Sequence, residues 1–267
     1  MTLRNRVSSV VRRWPVLHDL LATVSSQCSG PRLQELVVGT RARERQWSNR
    51  HRRAGNDWGD TRHRGGPDEW VLGYWDSRVH AHRAFVMEAI AEYSPTSVLE
   101  IGCNCGPNLY LAARRFEDAR IAGIDINPAA VEKGRELLAA EGITGVELSV
   151  GRADDLGRFQ DREFDVVLTD AVLLYVGPDR IDRVMREMLR VARRAVVLSE
   201  WHWFDRPAHK DPQGLGIVRR GCWQRDYLAL LRRYEAPEQV TITRFPQGAW
   251  DDRQWQRYGA VVTAGLG

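Results

Sequence analysis

Apolar residues occur in two patterns that alternate through the middle of the chain. Short continuous runs, such as residues 164–170, predict buried strands. Apolar positions three and four residues apart, as in residues 181–189, predict helices that bury one face. Because strand and helix alternate regularly, the pattern predicts an α/β fold in which a mostly parallel sheet carries helices on both faces.

The predicted elements cover residues 82–264. The predicted core strands are residues 97–102, 120–125, 146–150, 164–170 and 194–200. The predicted helices between them are residues 82–93, 108–116, 128–140 and 178–191, the last two opened by Pro128 and Pro178. After these come a predicted loop or insertion at 201–221, a helix at 223–234, and two closing strands at 238–245 and 257–264 that form a hairpin.

The N-terminal third has a different composition. Residues 7–24 and 33–38 show helical spacing and predict a helical cover. Residues 41–64 are rich in arginine with interspersed tryptophan, which predicts a solvated linker or, as the alternative, a surface that binds anions. The predicted division is therefore a cover and basic linker at 1–78 and a main domain at 79–267, with 200–222 as a loop inserted near the substrate pocket.

Composition narrows the class of protein. The 267 residues carry a net charge of +4, and no apolar run reaches membrane-spanning length. The four cysteines do not suggest a disulfide framework, so we expect a bacterial protein of the reducing cytoplasm. His80 and His82, and likewise Cys103 and Cys105, lack further ligands at suitable spacing, and no metal site is predicted.

Residues 98–106 combine a buried strand with a glycine turn. Glu100, Gly102 and Gly106 form the pattern E-x-G-x-x-x-G before a predicted helix. Glycines allow the backbone to approach a ligand, and the helix N-terminus offers unpaired N–H groups. The dinucleotide fingerprint G-x-G-x-x-G would need glycine at Asn104 and Pro107, which argues against a nicotinamide cofactor.

A second acidic strand end follows at Asp125, where a carboxylate suits the two hydroxyls of a ribose. Together these residues resemble the class I S-adenosylmethionine-dependent methyltransferases, in particular the bacterial small-molecule type, over roughly residues 84–198. The resemblance implies a doubly wound seven-stranded sheet with an N-terminal helical cover. It also implies S-adenosylmethionine as cofactor and S-adenosylhomocysteine as product.

The resemblance further implies a set of cofactor contacts. Tyr74 and Arg78 would reach the methionine carboxylate, Glu100 its amino group and Asp125 the ribose. Asp154 would accept from the adenine amine, although a helix cap is the alternative role for this residue. The full implied set is Tyr74, Arg78, Glu100, Gly102, Cys103, Asn104, Gly106, Asp125, Ile126, Asn127, Ala153, Asp154, Thr169 and Asp170.

Candidate catalytic residues lie after the fourth and fifth strands. His202 would remove a proton from a hydroxyl, with Glu200 or Asp205 orienting it; the alternative is a histidine on a surface loop. Tyr175 stands where similar small-molecule enzymes often carry a histidine, so that position cannot supply a histidine base. His80, His82 and His209 are weaker candidates for the base.

The predicted reaction is methyl transfer to a small-molecule or saccharide-type acceptor, with oxygen favoured because of the histidine candidates. Alternatives that stay open are N-methylation, aminopropyl transfer, and a non-catalytic RNA- or glycan-binding protein that uses residues 41–64. Nucleic acid is not the expected partner, and a homo-oligomer is an open alternative.

Overall fold

The computed structural model describes residues 69–205, 214–219, 222–234 and 237–267. The helices predicted at 7–24 and 33–38, the arginine-rich residues 41–64 and His209 lie outside the described residues. Most of the proposed cover at 1–78 lies outside them as well. Within the described residues, helices flank a seven-stranded sheet, which confirms the predicted fold class.

The elements are numbered in chain order. The strands are β1 (Ser97–Ile101), β2 (Arg120–Asp125), β3 (Val146–Val150), β4 (Phe164–Asp170), β5 (Ala192–Trp201), β6 (Ile217–Arg219), β7 (Cys222–Gln224), β8 (Pro237–Arg244) and β9 (Gly259–Leu266). The helices are α1 (Glu69–Asp76), α2 (Ala81–Ala91), α3 (Pro107–Arg115), α4 (Pro128–Ala140), α5 (Ile181–Val191), α6 (Tyr227–Leu231) and α7 (Arg253–Tyr258). Short 3₁₀ turns occupy Ser77–Val79 and Leu173–Tyr175.

The strand order of the main sheet is β3-β2-β1-β4-β5-β9-β8. Strands β1 to β5 are parallel, whereas β9 runs antiparallel to both β5 and β8. The chain leaves β1 toward β2 and later returns on its other side as β4. In an open parallel sheet, such a reversal of strand order opens a crevice at the carboxyl ends of the strands.

Both faces of the sheet are covered, which explains why its central strands are continuous apolar runs. All residues of β1 and β4 are buried. Successive side chains point to opposite faces, so Val98 packs in one core and Leu99 in the other. At the carboxyl end of β4 this burial extends to a carboxylate, Asp170.

Local signals explain where the helices begin. Asn127 caps α4, since its side chain accepts from the backbone N–H groups of Ala129 and Ala130, and Pro128 follows as the first helical residue. The prediction that Pro178 opens a helix is wrong. Residues 178–180 instead form a turn, the N–H groups of Arg180 and Ile181 donate to the carbonyl of Gly177, and α5 begins at Ile181.

The C-terminal third departs most from prediction. The span 201–221 is not entirely loop, because it contains β6, which pairs with β7 as a separate hairpin. Trp223 lies on β7 rather than on a helix, and α6 begins only after the cap provided by Asp226. The predicted closing hairpin is confirmed as β8 and β9, although 253–258 is helical and the last strand begins at Gly259.

Candidate active site

A pocket opens at the carboxyl ends of β1 to β4, at the edge of the sheet where α/β folds bind ligands. Its empty volume is about 920 Å³ with the open mouth included. The predicted site residues that line it are Tyr74, Gly102, Asn104, Asp125, Ile126, Ala153, Asp154, Asp170 and Tyr175. The structure therefore brings most of the predicted cofactor contacts to one place.

Gly102 shapes the loop that follows β1. Its φ of +77° lies in the left-handed region that favours glycine, and a Cβ there would sit 2.3 Å from Cγ2 of Val172. The N–H groups of Gly102 and Cys103 donate to the carbonyl of Ile124, which ties this loop to β2. A side chain at Gly102 would push the loop and the Val172 wall of the pocket apart.

Asp125 ends β2 with its carboxylate at the pocket. The backbone N–H groups of Asn104 and Asn127 each donate to one of its oxygens, at 2.8 Å. Burial raises the pKa of Asp125 to about 6, and these backbone hydrogen bonds oppose that rise. Each oxygen keeps acceptor capacity after its bond to the backbone, so the side chain can also accept from a diol.

A buried polar cluster lies beside the pocket and links α2, α3, β1 and β4. We call it the Asp170 cluster; its members are His82, Arg83, Glu100, Asn108 and Asp170. Oδ2 of Asp170 accepts from Arg83 and Asn108, both at 3.1 Å, and lies 3.2 Å from Nε2 of His82. Asn108 also donates to Oε1 of Glu100 at 2.7 Å and accepts from Arg83 at 2.7 Å.

The two carboxyl groups of the Asp170 cluster differ in ionisation. Burial opposes the charge on Asp170, but His82 and the guanidinium of Arg83 outweigh it and hold the pKa of Asp170 well below its usual range. Burial dominates for Glu100 and raises its pKa to about 8. Burial also lowers the pKa of His82 to about 4, so this imidazole is neutral near pH 7.

Glu100 is incompletely paired. Its Oε1 accepts from Asn108, but its buried Oε2 has no hydrogen-bond partner among the described residues. An unpaired carboxyl oxygen in the interior is costly unless a ligand supplies a donor. A cationic group near Glu100 would satisfy this oxygen and favour the ionised form.

At the far end of the pocket, Asp154 follows β3. Its carboxylate pairs with Arg152, with Nε and Oδ1 3.0 Å apart. Burial raises the pKa of Asp154, but the hydrogen bond and charge of Arg152 outweigh it and leave the pKa lowered. Ala153, Arg152 and Arg180 also line the pocket here, so this end presents both an acid and cations.

Arg78 does not line the pocket, although Tyr74 does. The Arg78 guanidinium carbon lies 5.1 Å from the ring centroid of Trp75, and the group hydrogen-bonds to Asp76 and Glu141. The expectation that Arg78 reaches a bound methionine carboxylate is therefore not supported by its placement. Aromatic stacking and two carboxylates hold it elsewhere.

Four other predicted contacts lie behind the pocket wall. Cys103 and Thr169 are buried and do not line the pocket. Gly106 precedes α3 in a left-handed conformation, and Asn127 caps α4. These residues shape the backbone of the loops rather than present side chains to the pocket.

The predicted catalytic pair, Glu200 and His202, is also placed away from the pocket lining. Both oxygens of Glu200 accept backbone N–H groups from residues 172–174. Nδ1 of His202 accepts from the backbone N–H of Tyr227 at 3.3 Å, and its ring packs against Phe204. His202 is buried and lies outside the pocket lining, because it forms a β-bridge with Arg225, the residue that follows β7.

The prediction misses Arg83 and Asn108, which hold the Asp170 cluster together. Asn108 lies two residues after the second glycine of the motif, so the motif already pointed to it. Arg83 carries no such signal in a chain with many arginines. Among the residues that the structure describes, no group of three or more His, Cys, Asp or Glu side chains is arranged to hold a metal ion.

Comparison with known proteins identifies the domain. A family model described as a methyltransferase domain matches residues 98–195. The chain is 30% identical to catechol O-methyltransferase of Mus musculus over 135 residues, which is 49% of each chain. It is 35% identical to fatty-acid O-methyltransferase of Mycolicibacterium smegmatis over 106 residues, 39% of this chain and 36% of the relative. The chain thus spans half or less of the length of these curated relatives.

A solved structure extends the likeness beyond the matched residues. Geranyl diphosphate C-methyltransferase from Streptomyces coelicolor A3(2), in complex with Mg²⁺, geranyl diphosphate and S-adenosyl-L-homocysteine, superposes with a TM-score of 0.54 at 14% identity. The likeness covers 85% of this chain and 98% of that one. Residues 98–195 are thus similar to methyltransferase domains, and the chain has the fold of the class I methyltransferases.

The Streptomyces coelicolor structure contains S-adenosyl-L-homocysteine, the product that S-adenosylmethionine leaves after methyl transfer. In this chain the residues present fit S-adenosylmethionine, since the unpaired Oε2 of Glu100 suits an ammonium and Asp125 suits a ribose diol. No helix among the described residues of the methyltransferase domain and its flanks is both long and apolar enough to cross a membrane.

Proposed function

We propose that the chain is an S-adenosylmethionine-dependent methyltransferase whose acceptor is a small molecule methylated on oxygen. The observation that carries the proposal is the pocket at the ends of β1 to β4, in which Asp125 and the Gly102 loop meet within the methyltransferase domain. The oxygen acceptor is supported by the names of the two curated relatives, both O-methyltransferases.

Of the proposed cofactor contacts, Asp125, Ala153 and Asp154 line the pocket, whereas Glu100 lies beside it in the Asp170 cluster. Glu100 would pair with the ammonium of the methionine part, Asp125 would accept from the ribose hydroxyls, and Asp154 with the N–H of Ala153 would meet the adenine edge. When bound, S-adenosylmethionine supplies an electrophilic methyl group on a sulfonium leaving group. The residues of the chain need only position the acceptor and manage its proton.

The acceptor end is assigned to Tyr74, Asp170 and Tyr175, which line the pocket outside the proposed adenine and ribose contacts. An oxygen acceptor must lose a proton as its bond to the methyl group forms. His202 and His82 both lie outside the pocket lining, but His82 contacts the pocket-lining Asp170, so we assign the histidine of the proposed mechanism to His82. Neutral His82 donates its Nε2–H to the ionised Asp170, so a proton from the acceptor would reach this pair at Asp170, with His82 fixing the orientation of the carboxylate.

N-methylation is the second candidate, and one observation favours it. The carboxylate of Asp170 is held ionised in the pocket by Arg83 and His82. An ionised carboxylate would attract an amine acceptor in its ammonium form, although that amine must lose its proton before it attacks.

Calorimetry with S-adenosylmethionine and S-adenosylhomocysteine tests the cofactor assignment, and micromolar binding of both is expected. Labelled donor then tests acceptors in three groups: catechols and fatty acids, saccharides, and primary amines. Transfer to the first group or to saccharides supports an oxygen acceptor, and transfer to amines alone supports the second candidate. Absence of binding by either cofactor form contradicts the proposed function.

A further inference from the structure

The turn after β4 forms one wall of the pocket. It comprises residues 172–176, and we call it the wall turn; Val172, Tyr175 and Val176 line the pocket. Its centre is a 3₁₀ turn, Leu173–Tyr175, which is too short to be stable by itself. Because Val172 packs directly against Gly102, a shift of the wall turn changes the width of the pocket.

A buried carboxylate holds one side of the wall turn. Oε1 of Glu200 accepts the backbone N–H groups of Val172 and Leu173 at 2.9 and 2.8 Å. Oε2 accepts the N–H of Leu174 at 3.1 Å. These are the N–H groups at the start of a helical turn, which have no partner within the turn. The carboxylate therefore acts on the wall turn as a capping group, but from β5 rather than from the adjacent sequence.

A buried guanidinium binds two carbonyl groups of the same turn. Nη1 of Arg225 donates to the carbonyl of Leu173 at 2.7 Å, and Nη2 donates to the carbonyl of Val176. Arg225 follows β7 and is itself fixed, since its backbone bonds to Trp201 and Trp203 on both sides of His202. Glu200 and Arg225 are both fully buried.

We propose that Glu200 and Arg225 are positioning residues that clamp the wall turn against the pocket and thereby set its affinity for the cofactor. The inference rests on the proposed function, because it takes S-adenosylmethionine as the ligand of the pocket. Glu200, on β5, binds N–H groups of the wall turn. Arg225, which follows the separate β6–β7 hairpin, binds carbonyl groups of the same turn. Burial of a carboxyl group and a guanidinium is costly, and their hydrogen bonds to the wall turn offset part of that cost.

The test compares Glu200→Gln with Asp165→Asn as a matched control. Asp165 is also fully buried, and its Oδ2 accepts the backbone N–H of Thr96 at 2.8 Å, but it lies at the amino end of β4, at the opposite edge of the sheet. Both variants keep side-chain volume and replace a buried carboxyl group by an amide, and Asp165 also pairs with Arg193. Melting temperature and the Kd of S-adenosylhomocysteine are measured for each variant and for the wild type.

Glu200→Gln is expected to raise the Kd by about tenfold or more. In this variant an amide nitrogen would face a backbone N–H that donates to a carboxylate oxygen in the wild type. Asp165→Asn is expected to lower the melting temperature but to keep the Kd within about twofold. Arg225→Lys, which keeps the charge, is expected to have a smaller effect on Kd than Arg225→Met. If Glu200→Gln does not fold, the pair at Arg225 provides the same test.

Equal Kd values for the wild type, Glu200→Gln and Arg225→Met would overturn the clamp. So would a rise in Kd that Asp165→Asn matches, because the effect would then follow stability alone. Failure of the wild type to bind is a different result, since it would contradict the proposed function before any variant is compared.

Discussion

Binding of S-adenosylmethionine should expel a proton from Glu100. In the free protein its pKa is raised to about 8 by burial, so at pH 7 about 0.9 of the Glu100 side chains carry a proton. An ammonium placed at the unpaired Oε2 favours the carboxylate and lowers that pKa. If the pKa falls to its ordinary value, binding at pH 7 releases about 0.9 proton. Below pH 8, the affinity therefore increases by up to about tenfold for each unit by which the pH is raised.

The number of protons released can be measured directly. Binding enthalpy is recorded at pH 7 in buffers of different ionisation enthalpy, and the slope of one against the other is the number of protons released. Glu100→Gln is the matched variant, because the amide cannot titrate but can still accept from Asn108. Glu200, whose pKa burial raises to about 7, is present in both proteins, so the difference between them isolates Glu100.

A ligand comparison sharpens the result. 5′-Methylthioadenosine shares the adenosine part but has no ammonium, so its binding should release few protons from Glu100. A slope near zero for S-adenosylmethionine on the wild type would refute the reasoning. An equal slope on the wild type and on Glu100→Gln would refute it as well, since the protons would then come from another group.

Three further predictions follow from the site. Asp125→Ala should weaken binding of S-adenosylmethionine by about 1–3 kcal/mol, the range for lost charge-assisted hydrogen bonds; unchanged affinity by calorimetry contradicts the ribose assignment. Arg83→Met should cost about 3–5 kcal/mol of unfolding free energy, measured in urea, because it leaves Asp170 buried without its cation; a loss below 1 kcal/mol, at about the level of an exposed pair, contradicts this account. The pKa of His82 is lowered to about 4 in the fold, so its contribution to stability is present above about pH 6.5 and is lost as the pH falls toward 4. Up to about 3 kcal/mol should disappear in that window, and a His82→Gln variant that shows the same acid profile as the wild type in thermal melts argues against this source.

The central elements were predictable because their signals are local. The strands β1, β2 and β4 are mainly apolar, β3 alternates between apolar and polar residues, and Pro128 with Asn127 marks the start of α4. The C-terminal hairpin was not predictable in this way. Strands β6 and β7 have three residues each, too few to show an alternating pattern, while Trp223, Tyr227 and Leu230 happen to follow helical spacing.

The site was predictable as far as strand ends determine it. Gly102, Asp125 and Asp170 lie at the pocket because parallel strands end at one edge of the sheet. The same rule misplaced His202, because the chain after β5 pairs with Arg225, next to β7, instead of turning toward the crevice. Arg83 was out of reach for a different reason: its partners, Asn108 and Asp170, are distant in the sequence, so only the packing of α2 on the sheet reveals them.

The position of Arg225 has a consequence for how such a protein can diversify. The four parallel strands whose carboxyl ends form the pocket are nearly contiguous in the chain, whereas the β6–β7 hairpin is a separate two-stranded sheet that could be exchanged for another. Such an exchange is constrained at one point, because the guanidinium of Arg225 reaches across to the carbonyls of the wall turn. A grafted hairpin that lacks an arginine in this register would therefore alter cofactor binding even if it were chosen only to recognise a new acceptor.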